Sequence, residues 1–398
     1  MPDIPHLSSP SVLTTLAVSN YRSLLDLIVP LGPVNLVTGA NGSGKSNLYR
    51  ALRLLAESGR DGVVSALARE GGLQSTFWAG PESLSAGMRN GSVPIQGTRR
   101  SEPMRLRLGF AGDGFGYAVS LGMPAPSAMT EFSLDPEVKR ESVWAGEFYR
   151  VASALVDRKG PMIRVRRGKE WHVVGQGVST FDTLFSQVAD PEAAPEVFRM
   201  REIIRGWRFY DHFRTDREAP ARQPQIGTRT PVLHHDGRDL AAALQTIREI
   251  GDGETLHKVV DDAFPGAKVE VVVKEGRFSL EFHQEGLLRP LSAAELSDGT
   301  LRYLLWIAAL MTPRPPALMV LNEPETSLHP DLLPALGRLV IEASKRSQIW
   351  VVSHAARLVR SLEEHPECHS IRLEKEFGET RIEGLAPLDR PAWHWPEE

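Results

Sequence analysis

The run Gly39-Ala40-Asn41-Gly42-Ser43-Gly44-Lys45-Ser46 matches the pattern G-x-x-x-x-G-K-[ST]. Glycines at this spacing let backbone N–H groups turn toward an anion. The N-terminus of a following helix adds positive potential. Lys45 would reach the β- and γ-phosphates of a nucleotide, and the Ser46 hydroxyl would ligate Mg²⁺. The loop stands where that chemistry needs it. An apolar run at 34–38 precedes it as a buried strand, and a helix over 45–56 follows, with Leu48, Leu52 and Leu55 at helical spacing.

Nucleotide hydrolysis also needs an acidic strand end, for metal and water. The apolar run 317–321 ends in Asn322-Glu323-Pro324-Glu325. It reads as a buried strand that would place Glu323 beside a γ-phosphate as general base or water-positioning group. The plainer alternative is an exposed acidic loop after a core strand. Glu295-Leu296-Ser297-Asp298-Gly299-Thr300 precedes an apolar helix starting near Leu301. By itself this is an ordinary helix cap, with Ser297 as the capping residue and Gly299 permitting close backbone approach. A second strand, 348–352, leads through Ser353 to His354. A histidine at a strand end is either structural or a phosphate contact.

The elements that must position these groups follow from periodicity. Residues 12–37 read as two short strands and then the buried one. Residues 104–174 alternate apolar and polar, broken by glycine and proline, and read as a mostly antiparallel sheet; 124–127 reads as loop. Residues 181–205 turn helical. Helices are expected over 239–250 and 254–264, then a hairpin of 268–273 and 277–282 around Glu275-Gly276. A strand over 316–321, a helix over 331–344, the strand over 348–352 and a helix over 355–363 complete the pattern. Strands alternating with helices at the two ends indicate an α/β core. The expected division is an N-terminal lobe 1–180, an insert lobe 181–300 ending at Ser297, and a C-terminal part of the core, 301–398.

Composition narrows the classes. The chain has 398 residues, 41% of them hydrophobic and 24% charged, which excludes a disordered chain or a rod. The net charge of −4 excludes a polycation, though not a local basic patch. The single cysteine, Cys368, forbids an intrachain disulfide and a multi-cysteine zinc site. Residues 1–10 lack the apolar core of a signal peptide, and no apolar stretch reaches the ~20 residues of a membrane span. The expectation is a cytoplasmic protein without membrane contact.

Taken in order, these motifs resemble an ABC-class ATPase of the RecF/SMC type, specifically the small RecF-like ATPases. The resemblance rests on Asn20-Tyr21-Arg22-Ser23 before the loop strand, the loop from Gly39 to Asn47, and Leu296-Ser297-Asp298-Gly299. It also rests on Glu323-Pro324-Glu325-Thr326-Ser327-Leu328-His329-Pro330, with His354 behind it. It is close at the two ends of the chain and loose in the middle.

The resemblance implies an ABC-ATPase head of the P-loop fold: a mixed sheet, an antiparallel β subdomain and an inserted helical lobe. It implies ATP and Mg²⁺ as cofactors. Gly39, Asn41, Gly42, Ser43, Gly44, Lys45, Ser46 and Asn47 would hold ATP. Ser297 and Gly299 would contact the ATP of a second subunit, giving a head-to-head homodimer. Glu323, His354 and Lys45 would be catalytic. Ser46, Asn322 and the mobile-loop candidate Gln74 would serve the metal, Gln74 having an ordinary polar loop residue as its alternative. The sequence departs from the family where Asn322 replaces the usual aspartate, so one carboxylate charge near the metal is missing. It also has Asp298 and Thr300 within the segment 296–300, which resembles the ABC signature segment, and His329 at a position often occupied by aspartate.

The middle of the chain excludes a long coiled-coil arm, since Ser46 and Leu296 are 250 positions apart without heptads. With 44 residues after His354, an appended nuclease is not expected, so an effector would be another chain. Arg199, Arg201, Arg205, Arg208, Arg214, Arg217 and Arg222 interleave with Trp207, Phe209, Tyr210 and Phe213. They form either a nucleic-acid surface or helix-surface arginines beside a packed strand. His234-His235-Asp236 reads as a polar turn rather than a metal site, for want of a third ligand group. Three functions compete. The first is a dimerising ATPase acting on DNA in repair, genome maintenance or defence. The second is a slow nucleotide-gated switch that recruits an effector protein. The third, a transporter subunit, lacks its aromatic adenine platform here.

Overall fold

The computed structural model describes residues 12–60, 62–81, 85–90, 92–94, 103–126, 130–188 and 190–397. The polar N-terminal stretch 1–10 and Ser127 lie outside them. The chain divides into two compact units. One takes in residues up to Gly32, Thr38–Trp207 and the chain from Ile371 on; the other is Pro33–Val37 with Arg208–Ser370.

Alternation of apolar and polar residues builds the first unit around an eight-stranded sheet. Its order is Leu24–Pro30, Leu13–Tyr21, Leu106–Gly112, Phe115–Gly122, Glu137–Ala145, Ala154–Lys159, Met162–Arg167 and Glu170–Gly175. Every neighbouring pair is antiparallel. The helix Lys45–Ser58 buries Leu48, Leu52 and Leu55, the residues whose spacing predicts it. The stretch 181–205 is not one helix. It contains Leu184–Gln187 and Pro195–Gly206, because Pro195 fixes φ at a helix start and ends any run from before it.

A buried ion pair ties three of these strands together. Glu141 accepts from Arg158 Nη1 at 2.8 Å, Tyr117 Oη at 2.8 Å and Leu184 N at 2.9 Å. Both charged side chains are 0% exposed. Burial pushes the Glu141 carboxyl above the ordinary carboxylate range, and the Arg158 charge opposes that rise. Arg158→Met removes the cation and leaves the carboxylate buried. The expected loss of stability is about 3–5 kcal/mol, read from urea unfolding midpoints. A loss below about 1 kcal/mol would show that the pair is neutral to folding.

The second unit has parallel strands in the order Arg208–Tyr210, Leu318–Asn322, Gln348–Val352 and the portion Val34–Val37 of the next strand. Such strands are covered on both faces and so read as continuous apolar runs. The helices Leu240–Ile250, Gly253–Ala263, Asp298–Leu310, Leu333–Ser344 and Ala356–Glu363 belong to the same unit. Tyr210, Phe213, Leu301, Leu305, Trp306, Leu321, Leu336 and Val351 are among its core residues. The helix expected from 331 begins at Leu333, after a 3₁₀ turn Pro330–Leu332. The expected hairpin is present as Lys268–Lys274 and Arg277–His283. No helix among the described residues is long and apolar enough to cross a membrane.

Two strands appear where none was expected, Cys368–Glu376 and Glu379–Ile382, paired antiparallel. Their alternation is masked by charge: the residues around the turn are Glu374-Lys375-Glu376-Phe377-Gly378-Glu379.

Candidate functional site

In the first unit, the phosphate loop takes its shape from two glycines that nothing else could replace. Gly39 and Gly44 have φ of 142° and 111°. A Cβ on Gly39 would lie 2.3 Å from the Leu373 carbonyl oxygen, and one on Gly44 2.1 Å from Thr380 Oγ1. Gly44 is the N-cap of the helix Lys45–Ser58 and offers no side-chain cap, so the first N–H groups of that helix lack a capping acceptor.

Lys45 Nζ donates to the carbonyls of Gly39 at 2.6 Å and Ala40 at 3.1 Å, which holds the ammonium across its own loop. Asn41, Gly42 and Ser46 are exposed at the loop mouth, while Ser43 is buried and its Oγ has no hydrogen-bond partner among the described residues. Phosphate oxygens suit such a cradle, which combines helix N–H groups, an ammonium and open space at Gly42, where a Cβ would meet nothing within 4 Å.

A polar network braces this loop, and its key member was not legible beforehand. Thr380 Oγ1 donates to the Ser43 carbonyl at 2.8 Å and lies 2.7 Å from Ser23 Oγ. Ser23 Oγ in turn accepts from Asn47 Nδ2 at 2.8 Å. The Asn20-Tyr21-Arg22-Ser23 turn thus reaches the loop through its serine. Arg22 pairs instead with Glu70, at 3.1 Å.

In the second unit, register puts the other groups side by side. Asn322 is paired with Val352 on the neighbouring parallel strand. The Glu323 amide, at φ 49°, donates to the Val352 carbonyl at 2.8 Å. Glu323 and His354 therefore leave the carboxyl ends of adjacent strands, where ligands of open α/β sheets bind. His354 Nδ1 is 3.9 Å from Glu323 Oε1 and 3.4 Å from Glu325 Oε1. Glu323 is 49% exposed and His354 62%, so both are open to water, whereas Glu325 is 8% exposed. A carboxylate and an imidazole at this separation can hold and polarise one water between them.

The signature segment also belongs to the second unit. Ser297 caps the helix Asp298–Leu310 by accepting from Thr300 N at 3.1 Å. The helix is fastened to the loop after the acidic strand. Trp306 Nε1 donates to the Pro324 carbonyl at 3.0 Å and Arg302 Nη1 to the Thr326 carbonyl at 2.7 Å. A Cβ on Gly299 would stand 3.0 Å from the Ser327 carbonyl oxygen.

Arg222 holds the segment from below. Its guanidinium, 7% exposed, donates to the carbonyls of Thr215, Ala293 and Leu296 and to the Asp298 carboxylate at 2.6 Å. This arginine belonged to the sequence patch considered for nucleic acid. Trp207, Tyr210 and Phe213 of that patch are also buried, at 0 to 1% exposure, and so supply no stacking surface. Arg199, Arg205, Arg214 and Arg217 remain exposed.

Gln74 also belongs to the first unit. It stands exposed on the short helix Leu73–Thr76 and lines a cavity of about 970 Å³ with Phe77, Trp78, Met104 and Met123; no phosphate-loop residue lines that cavity. His234, His235 and Asp236 come close enough to share an ion. Their hydrogen bonds describe a capped turn instead. Asp236 Oδ1 takes His234 Nδ1 at 2.7 Å and Arg238 N at 3.1 Å, and Arg238 Nη2 already sits 2.8 Å from His234 Nε2.

Comparison with known proteins places these observations. A family model described as "AAA domain, putative AbiEii toxin, Type IV TA system" (AAA_21) matches residues 34–142 and 181–360. That match spans the phosphate loop, the signature segment, the acidic strand end and His354. No curated protein matches the chain. Among solved structures, the chain is similar to an SMC head bound to the C-winged helix domain of ScpA. The two are 13% identical with a TM-score of 0.49, over 93% of this chain and 97% of that one. It is also similar to the SMC head domain from Thermotoga maritima, at 15% identity and a TM-score of 0.43, over 93% and 98%. A third is the Smc head domain with an extended coiled coil bound to the C-terminal domain of ScpA, derived from Pyrococcus furiosus. There the identity is 13% and the TM-score 0.46, over 93% and 95%. The chain belongs to the AAA_21 family, described as an AAA domain, and its α/β fold is that of a P-loop ATPase.

Proposed function

We propose that this protein binds and hydrolyses ATP and dimerises head-to-head around it. The observation that carries the reading is the phosphate loop. The helix start at Gly44, which has no side-chain cap, the open Gly42 and the Lys45 ammonium together form an anion cradle. Bound ATP with Mg²⁺ would supply the reactive phosphoanhydride. The chain's own residues would do the rest. Lys45 and the loop N–H groups orient the phosphates. Ser46 is the first metal ligand, with Asn322 and Gln74 as further candidates. Glu323 takes the proton of the attacking water, and His354 steadies that water against Glu323.

Ser297 and Gly299 begin a helix of 13 residues whose N-terminus suits a partner's phosphate. Of DNA repair, genome maintenance and defence, the last is favoured by the family description, which names a toxin of a Type IV TA system. The effector, or the DNA, would then be met by the dimer.

A second reading has one observation in its favour. Asn322 stands at the strand end where a carboxylate would charge the metal site, so turnover would be slow and the protein would act as a nucleotide-gated switch. Steady-state hydrolysis with and without duplex DNA separates the two. Ser297→Arg tests the dimer. It adds bulk and charge at the helix start and removes a cap contributing about 1 kcal/mol. The expected outcome, by light scattering with ATP, is a monomer that still binds nucleotide. A normal ATP-dependent dimer would rule out the sandwich.

A further inference from the structure

The acidic strand end carries a second carboxylate that the proposed reaction does not use. Glu325 is 8% exposed. Its Oε1 accepts from Ser353 Oγ at 2.8 Å, His354 N at 3.0 Å and Ala355 N at 3.3 Å. These donors include the backbone at the start of the helix Ala356–Glu363, where a negative charge is favourable. The backbone of Glu325 is fixed on its own side as well, since its carbonyl accepts from Leu328 N at 3.0 Å and the preceding Pro324 carbonyl accepts from Trp306. One side chain thus joins the loop that bears Glu323 to the loop that bears His354.

Stability alone does not account for a carboxylate here. Its other oxygen, Oε2, is buried and takes no hydrogen bond among the described residues. Leaving half of a buried carboxylate unsatisfied is costly, and a neutral glutamine would accept the same three donors. Besides that helix start, the group placed to profit from the charge is His354, whose Nδ1 lies 3.4 Å from Oε1.

We propose that Glu325 is a positioning residue: it anchors the His354 loop by its backbone and holds the imidazole, by charge, facing Glu323. The proposal rests on the reading of Glu323 and His354 as the hydrolytic pair. Glu325 acts through His354 and touches no reacting atom itself. Misplacing a catalytic group by about 1 Å costs on the order of 10²-fold in rate. Loss of the charge with the hydrogen bonds kept is therefore expected to cost about ten- to a hundredfold.

The test compares kcat and KM for ATP in the full chain for wild type, Glu325→Gln, His354→Ala and the double variant, with thermal midpoints as a control. Glu325→Gln keeps an acceptor for Ser353, His354 and Ala355. It is expected to lower kcat about ten- to a hundredfold with KM within about twofold of wild type. In the His354→Ala background the same change is expected to do nothing further, because its route is gone. A purely structural role predicts the opposite, an equal loss in both backgrounds. Wild-type kcat in Glu325→Gln, or an additive loss in the double variant, overturns the proposal while the hydrolytic reading stands. Absence of hydrolysis by the wild type overturns both. Should Glu325→Gln not fold, Glu325→Asp keeps the charge but draws it back by one methylene. The same fall in kcat at constant KM is then expected, and an unchanged kcat counts against the proposal.

Discussion

Replacing Lys45 by alanine is expected to abolish measurable nucleotide binding while the protein stays folded. The ammonium donates to the Gly39 and Ala40 carbonyls, so it is already aimed across the loop before any ligand arrives. A hydrogen bond from a charged group contributes about 1.5–3 kcal/mol, and this ammonium would serve two phosphates. The expected loss is at least about 100-fold in Kd, or about 3 kcal/mol. Folding is expected to change little. Lys45 is only half-buried, and alanine is the better helix former at that position. Isothermal titration with ATP and Mg²⁺ measures the first quantity and a thermal melt the second. Affinity within about threefold of wild type would sink the assignment of the phosphate loop.

The second large effect is expected at Glu323. Glu323→Gln keeps size and hydrogen bonding but cannot take a proton from water. A positioned general base contributes about 10²- to 10⁴-fold, so hydrolysis should fall by that factor. ATP affinity and the thermal midpoint should both persist. The side chain is half exposed and its hold on the neighbouring strand is through the backbone, which the substitution leaves intact. A single-turnover assay with bound ATP distinguishes lost chemistry from lost binding. If Glu323→Gln hydrolyses at the wild-type rate, the acidic strand end is not the catalytic base, and the switch reading gains.

Much of the fold was legible because its signals are local. The helix Lys45–Ser58 follows from three leucines at helical spacing, and the strand Gln348–Val352 from an unbroken apolar run. The candidate phosphate loop needs only eight adjacent residues, since backbone N–H groups and a helix start would supply its anion cradle. The departures from expectation also have local causes. Pro195 divides the segment after 181 into two helices, and a 3₁₀ turn precedes Leu333. Charged residues hid the last two strands: in Cys368–Glu376 only Ile371 and Leu373 are buried, and Glu379–Ile382 is the edge of its sheet.

The site was legible in type and illegible in support. Thr380 braces Ser43 and Ser23 across more than 300 residues of chain, and nothing in its own surroundings announces that role. The sequence leaves Arg222 either on a basic surface or among helix-surface arginines beside a packed strand; it is buried beneath the signature segment as a donor to several carbonyls. The aromatic residues around it proved to be core, because a Trp or Phe between arginines reads the same way in a stacking surface and in a packed strand.

By itself, the sequence determined which chemistry is available: glycines that free N–H groups, one lysine, one exposed glutamate and one histidine after apolar strands. These are properties of residue type and of spacing along a few bonds. Only the tertiary structure decided which polar groups hold that chemistry in place. It assigned Thr380 to the loop, Arg222 to the signature segment and Glu325 to the histidine, because each of those contacts joins residues far apart in the chain. A hydrogen bond across such a separation depends on where the packed core brings two segments. No short pattern carries that information.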